Sequence, residues 1–357
     1  MRRKRSVVAL TALFATLFLA LLSGRALPQA GARRPALLVL EKSDNTLAIV
    51  DPVRLAIVAR VPAGPDPHEV AASSDSKLAY ISNYGGPGSD LHTISVVDLV
   101  AQKPLQAIDL GALHSAHGLD FMGGELYFTV ETNKAIGRYD PASERVDWVL
   151  GTGQDRTHMV WVSETLDRIV TSNVSSATIS IIDQVSPSRS GFGPPGAAPR
   201  KTWEVTNVPA GRGSEGFDVS PDGREIWVAN AQDNTVTIID HGARKPIATL
   251  EISVKGANRL RFTPDGKYVL ISGLGGGPSS SGPNLAVFEA STRRETKQIK
   301  LGGGSAGILI EPDGSRAYVA VSASNKVAVI DLRTFDVAGY IPTGRGPDGL
   351  AWAPSGL

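Results

Sequence analysis

The sequence predicts an all-β protein, a seven-bladed propeller of four-stranded blades in which the N-terminal strands join the C-terminal strand in one blade. Three observations carry this. Short runs rich in Val, Ile and Thr are separated by turn residues, with 38 Gly and 23 Pro spread over 357 residues, which favours many short strands over long helices. A unit of four such runs recurs, and the acid that closes its third run falls at Asp51, Asp98, Asp140, Asp183, Asp240, Glu289 and Asp331. Most of these spacings are roughly 42–49 residues, the range of propeller blades. The two ends of the chain also carry complementary fragments of one unit.

Residues 1–32 stand apart. Arg2, Arg3, Lys4 and Arg5 precede the apolar run "VVALTALFATLFLALL", and small residues follow, with Ala30 and Ala32 in an A-x-A arrangement. The run is short for a membrane span and suits a secretory signal. An uncleaved signal anchor is the alternative, and no other membrane span is expected. Either way the body would lie outside the cytoplasm, periplasmic or secreted. Cleavage removes five basic residues and no acid, taking the net charge from +1 to −4. A mildly acidic body argues against nucleic acid as a partner. Cys is absent, which excludes disulfides, thiolate catalysis and the C-x-x-C-H attachment of haem.

The propeller is expected over residues 36–357. "ALLVLE", "TLAIVD" and "LAIVARV" supply three strands of a blade whose first strand is missing. Complete units then begin at His68 ("HEVAASSDSKLAYISN"), His117 ("HGLDFMGGELYFTVE") and His158 ("HMVWVSETLDRIVTSN"). The clearest copy starts at residue 213, "GSEGFDVSPDGREIWVANAQDNTVTIIDHGARKPIATLEI". Two more begin at Asn258 and Ala306. A Pro/Gly/Ser insertion, "VSPSRSGFGPPGAAP", lengthens the fourth unit, and "GLGGGPSSSGPN" the sixth. "DGLAWAP" from Asp348 is the missing first strand. Six complete copies and one shared blade give seven, and the shared blade hides sheet edges that would otherwise stay open.

"WVAN" with "NTVTIID", and "YISN" with "HTISVVD", resemble the YVTN-type seven-bladed propeller repeats of secreted bacterial proteins, over about residues 36–357. The wider group includes surface and periplasmic binding proteins, lactonase-like enzymes, and propellers associated with quinoprotein or cytochrome systems. Fold does not select among these.

The first strand of each blade lines the central channel, so the residues at its entrance converge on one axis. They are His68, His117, His158, Glu215, Asn258, Ala306 and Asp348. Three imidazoles facing two carboxylates suit a divalent cation such as zinc. His68, His117 and His158 would hold it, with Glu215 or Asp348 as general base. Arg156, Arg212, Arg259 and Arg345 flank the ring, and His114 lies within reach. Guanidinium groups there suit a small anionic ligand, or else pair with neighbouring acids. The ring residues equally suit turn chemistry around a wet channel. Three function classes follow. The first is a monomeric extracytoplasmic module that binds a ligand or another protein through the ring face and the insertion at 185–200. The second is a metal-dependent lactonase- or lyase-like enzyme. The third is an accessory protein of a quinoprotein or cytochrome pathway. "NVS" at Asn173 also fits a glycosylation acceptor, a pattern short enough to arise by chance.

Overall fold

The computed structural model describes residues 33–186, 201–275, 277 and 281–357. The segment 1–32, where a secretory signal is expected, and most of the insertion at 185–200 lie outside them. Arg34–Leu357 forms one compact unit of seven antiparallel sheets. Among the described residues no helix is long and apolar enough to cross a membrane.

Six blades are built from consecutive chain. The first strands are Pro67–Ala72, Ala116–Met122, Thr157–Val162, Ser214–Val219, Ala257–Phe262 and Ile308–Ile310, in blades 2 to 7. Blade 1 takes its first strand, Pro347–Ala353, from the C-terminus. That strand pairs with Ala36–Glu41, placing Leu37 opposite Trp352 and Val39 opposite Leu350. Reciprocal backbone hydrogen bonds of 2.9 Å between Arg34 and Leu357 fasten the two ends. The fourth strand of blade 2 is split into Lys103–Pro104 and Ile108–Asp109.

The core lies between blades. Second strands such as Ala36–Glu41 and Glu225–Asn230 are buried almost throughout, because each faces a neighbouring sheet on both sides. Outer strands such as Ala56–Pro62 alternate exposed and half-covered residues, as an edge strand with one wet face should. Trp227 is fully buried and meets Phe262 of the next blade edge-on. At Asp51, Asp98, Asp140 and Asp331 the third-strand acid accepts backbone N–H groups of its own turn. Asp183 instead binds Arg168 of its own blade and Arg244 of the next. Asn173 is fully buried, with its amide on Thr178 and Ser180, so it is no acceptor for a glycan.

One irregularity positions the channel residues. In blades 1 to 6 the register of the first strand slips near its start, between Pro347 and Leu350, Pro67 and Val70, Ala116 and Leu119, Thr157 and Val160, Ser214 and Phe217, and Ala257 and Arg259. Such a bulge sets two residues against one and re-aims a side chain; here the re-aimed residues are Asp348, His68, His117, His158, Glu215 and Asn258. Hydroxyls of the second strands fill the gaps. Thr129 Oγ1 accepts Gly118 N–H at 2.9 Å and donates to the carbonyl of His158 at 2.6 Å. Ser172 likewise donates to the carbonyl of Glu215, and Ser272 to that of Ala306. The Ser or Thr of the repeated second-strand pattern therefore ties one blade to the channel residue of the next. Gly118 must lack a side chain, since a Cβ there would sit 2.5 Å from the carbonyl oxygen of His158.

Candidate functional site

The ring residues line one cavity of about 420 Å³ at the channel mouth, together with Lys42, Tyr84, Arg156, Arg259 and Ser322. One residue further along the first strands, Glu69 of blade 2 and Arg259 of blade 6 meet across the channel at 2.5 Å. Arg259 of this pair lines the cavity.

A charged relay runs along one wall. His158 is 3 % exposed and lies between two carboxylates, with Nδ1 2.5 Å from Glu131 Oε1 and Nε2 2.7 Å from Glu215 Oε2. The first contact is an aligned hydrogen bond; the second lies off the N–H line and acts through charge. Glu131 also accepts the Tyr84 hydroxyl at 2.5 Å and Arg156 Nε at 3.2 Å. Burial opposes a charge on His158, but Glu215 and Glu131 outweigh it and raise the imidazole above its usual value. Burial would likewise raise Glu215, yet the His158 charge, with Arg259 and Arg156, holds it at about 2. His158 is therefore an imidazolium and Glu215 a carboxylate.

His117 is the opposite case. It stacks on His158 with ring centroids 3.7 Å apart and planes inclined by 29°. Tyr84 meets it edge-on at 4.7 Å. Its burial, reinforced by the charge of His158, holds it well below the usual imidazole range, which favours the neutral ring. Nδ1 is buried without a hydrogen-bond partner. On the far side, His68 Nε2 accepts Lys42 Nζ at 2.7 Å. Asp348 lies 3.8 Å from both Lys42 and His68, too far for a hydrogen bond to either. Burial pushes its carboxyl up, and the neighbouring positive groups, Lys42 and Arg259 among them, offset this only in part.

These shifts fix a pH dependence. His158 is raised, so its contribution to stability is complete below about 6.5 and is lost as pH rises through its folded value. His117 is lowered, so its contribution is complete above about 6.5 and falls as the unfolded chain takes up a proton below it. Glu215 adds a loss as pH falls from 4.5 toward about 2, while Asp348 acts in the opposite sense in acid. The two histidines together put a maximum near pH 6.5. The urea midpoint measured from pH 5 to 9 should fall on the alkaline side in the wild type and stay flatter in His158→Gln.

The expected metal centre is overturned. Among the described residues no group of three His, Asp or Glu side chains is disposed to hold a metal ion. The reason is orientation. The His117 and His158 rings stack, so their nitrogens lie in nearly parallel planes and do not meet at a point. Both nitrogens of His158 already face carboxylates, and His68 Nε2 faces an ammonium.

The remaining predicted residues divide in two. Arg156, Arg259, Asn258, Glu215 and Asp348 line the cavity. Arg212 instead pairs with Asp233 at 2.7 Å and Arg345 with Asp44 at 2.7 Å, both arginines being largely exposed. The His114 backbone N–H donates to Asn133 Oδ1 and its ring sits 5.7 Å from His92. None of these three lines the cavity. Lys42, Tyr84 and Glu131 escaped the sequence reading. They share a repeat slot, one residue past the second-strand motif, with Val174, Ala231, Leu274 and Ser322. Aligning that slot as the first-strand slot was aligned exposes two ionisable groups and a phenol in consecutive blades.

No protein-family model matches the chain, and no curated protein matches it. Among solved structures, one described as a putative 6-phosphogluconolactonase from Bacteroides fragilis is 15 % identical, with a TM-score of 0.70 over 91 % of this chain and 99 % of that one. A second, described in the same way and from Bacteroides uniformis, is 15 % identical with a TM-score of 0.66, covering 90 % and 99 %. A functionally unknown protein from Desulfotomaculum acetoxidans is 12 % identical with a TM-score of 0.68, covering 89 % and 98 %. At these identities the likeness is one of fold, the seven-bladed propeller.

Proposed function

We propose that the chain is a ligand-binding propeller of the YVTN-like kind, holding a small polar molecule at the channel mouth. One observation carries this. His117, Asn258 and Asp348, from blades 3, 6 and 1, face a single cavity, and no side-chain hydrogen bond is made by any of them among the described residues. Buried polar groups are almost always paired. His117 Nδ1 is buried without a partner, and the part-exposed Asp348 carboxylate and the Asn258 amide open into the same space, which a ligand or its water would complete.

A second reading is favoured by two observations. The fold is like that of two putative 6-phosphogluconolactonases, and Asp348 lines the cavity with its carboxyl pushed up by burial. In that reading the cavity hydrolyses a lactone or related ester. Asp348, whose basicity burial raises, takes the proton of the attacking water while the Asn258 amide donates to the carbonyl oxygen; the ring C–O bond then breaks and the same proton passes to the departing ring oxygen, which leaves as a hydroxyl. Glu215, tied to His158 as a carboxylate of low basicity, supports the relay and does not act as the base. No metal is needed in either reading.

Export through residues 1–32 belongs to the same proposal and is read by N-terminal sequencing of the protein recovered from each cell fraction. The site itself is tested by a thermal-shift screen of small polar molecules and lactones, wild type against His117→Leu. Compounds that raise the melting temperature of the wild type alone support the reading. Equal shifts in both proteins, or none in either, refute it.

A further inference from the structure

We infer that the ligand of this cavity is a neutral polyhydroxylated ring, a sugar or sugar lactone without a phosphate. The inference rests on the reading of the cavity as a ligand site and adds the ligand's chemistry.

Every cation at the cavity has a carboxylate within 4 Å, and the four cations Lys42, Arg156, Arg259 and His158 face five acids, Glu69, Glu131, Glu215, Asp66 and Asp348. Arg156 Nε lies 3.2 Å from Glu131. Arg259 holds Glu69 at 2.5 Å and has Glu215 at 3.9 Å. Lys42 donates to His68 and has Asp66 at 3.7 Å and Asp348 at 3.8 Å. The fourth positive group, the His158 imidazolium, faces a carboxylate on each ring nitrogen. A phosphate would have to displace a carboxylate from its partner or lie against one. Stranding a buried charge and opposing like charges are both costly. The arginines that suggested an anionic ligand in the sequence are thus committed to acids in the structure.

What remains open suits hydroxyl groups. Asp348 accepts, the neutral imidazole of His117 can accept, and the Asn258 amide both donates and accepts. A hydroxyl serves either role, and a ring bearing several can reach residues from blades 1, 3 and 6 together. The remaining arc is small or apolar, with Ala306, Ser322, Gly346 and Leu274, and offers a surface for the C–H face of such a ring. The volume of about 420 Å³ lies in the range of small-molecule sites.

The test is calorimetric titration of the propeller with neutral aldoses and aldonolactones, each beside its phosphate ester. The neutral member should bind at least about tenfold tighter than the ester, the scale of a like-charge clash, and Asp348→Asn should narrow that ratio. The wild-type ratio decides the matter should that variant fail to fold. Equal or tighter binding of the phosphate ester overturns the inference while leaving the cavity a ligand site. Binding of no sugar or lactone also overturns it, and the wider thermal-shift screen then judges the site by itself.

Discussion

Glu131→Ala is expected to destabilise the propeller by about 3–5 kcal/mol, the cost of removing one partner from a buried ion pair. The residue has three partners from three places in the chain. The Tyr84 hydroxyl comes from blade 2, and His158 and Arg156 come from blade 4 and the loop before it. Truncation would leave Arg156 with no carboxylate at contact distance and His158 with Glu215 alone. Tyr84→Phe removes one of the same hydrogen bonds and should cost only about 1 kcal/mol. Urea unfolding followed by circular dichroism measures both. Comparable small losses for the two variants would show that Glu131 is solvated and that the relay is not the wall of the site.

His117→Leu is the contrasting case. A buried ring nitrogen without a partner gives nothing back for its desolvation, and an apolar replacement of similar size is close to neutral. Folding stability should therefore stay within about 1 kcal/mol of the wild type. Ligand affinity should fall about 10–100-fold, the value of one hydrogen bond lost from a buried polar site. Calorimetry on the best ligand from the thermal-shift screen, beside a urea curve, reads both. A variant that unfolds easily but binds normally would make His117 a packing residue. The two predictions have opposite signatures because Glu131 serves the fold first and His117 serves the cavity alone.

The architecture was open to reading because repetition supplies its own control. A Val- or Ile-rich run is ambiguous once, but seven copies at one spacing, with complementary ends, leave few alternatives to a closed ring. The same repetition located the channel residues, since one slot per blade must converge on one axis. Repetition does not tell which way a ring turns. His68, His117 and His158 occupy equivalent slots as expected, yet Glu131 and Glu215 hold the His158 ring between them and stacked on His117, so the three do not point at a common centre. The pairing of the arginines was also hidden, because Glu69 lies 190 residues from Arg259 and their blades face across the channel. Charge at the site is decided by a second layer, the slot after the second strand. A reading confined to the first-strand slot misses Lys42, Tyr84 and Glu131.

The ring-nitrogen spectrum of histidine-labelled protein at pH 6 tests the central claim, that two touching histidines are held in opposite charge states to leave one free for a ligand. A free histidine is mostly protonated at that pH. The structure predicts an imidazolium pattern for His158, with both nitrogens protonated, and a neutral pattern for His117 that responds when ligand is added. Two imidazolium patterns, or a His117 signal that titrates near 6.5 and ignores ligand, would contradict it.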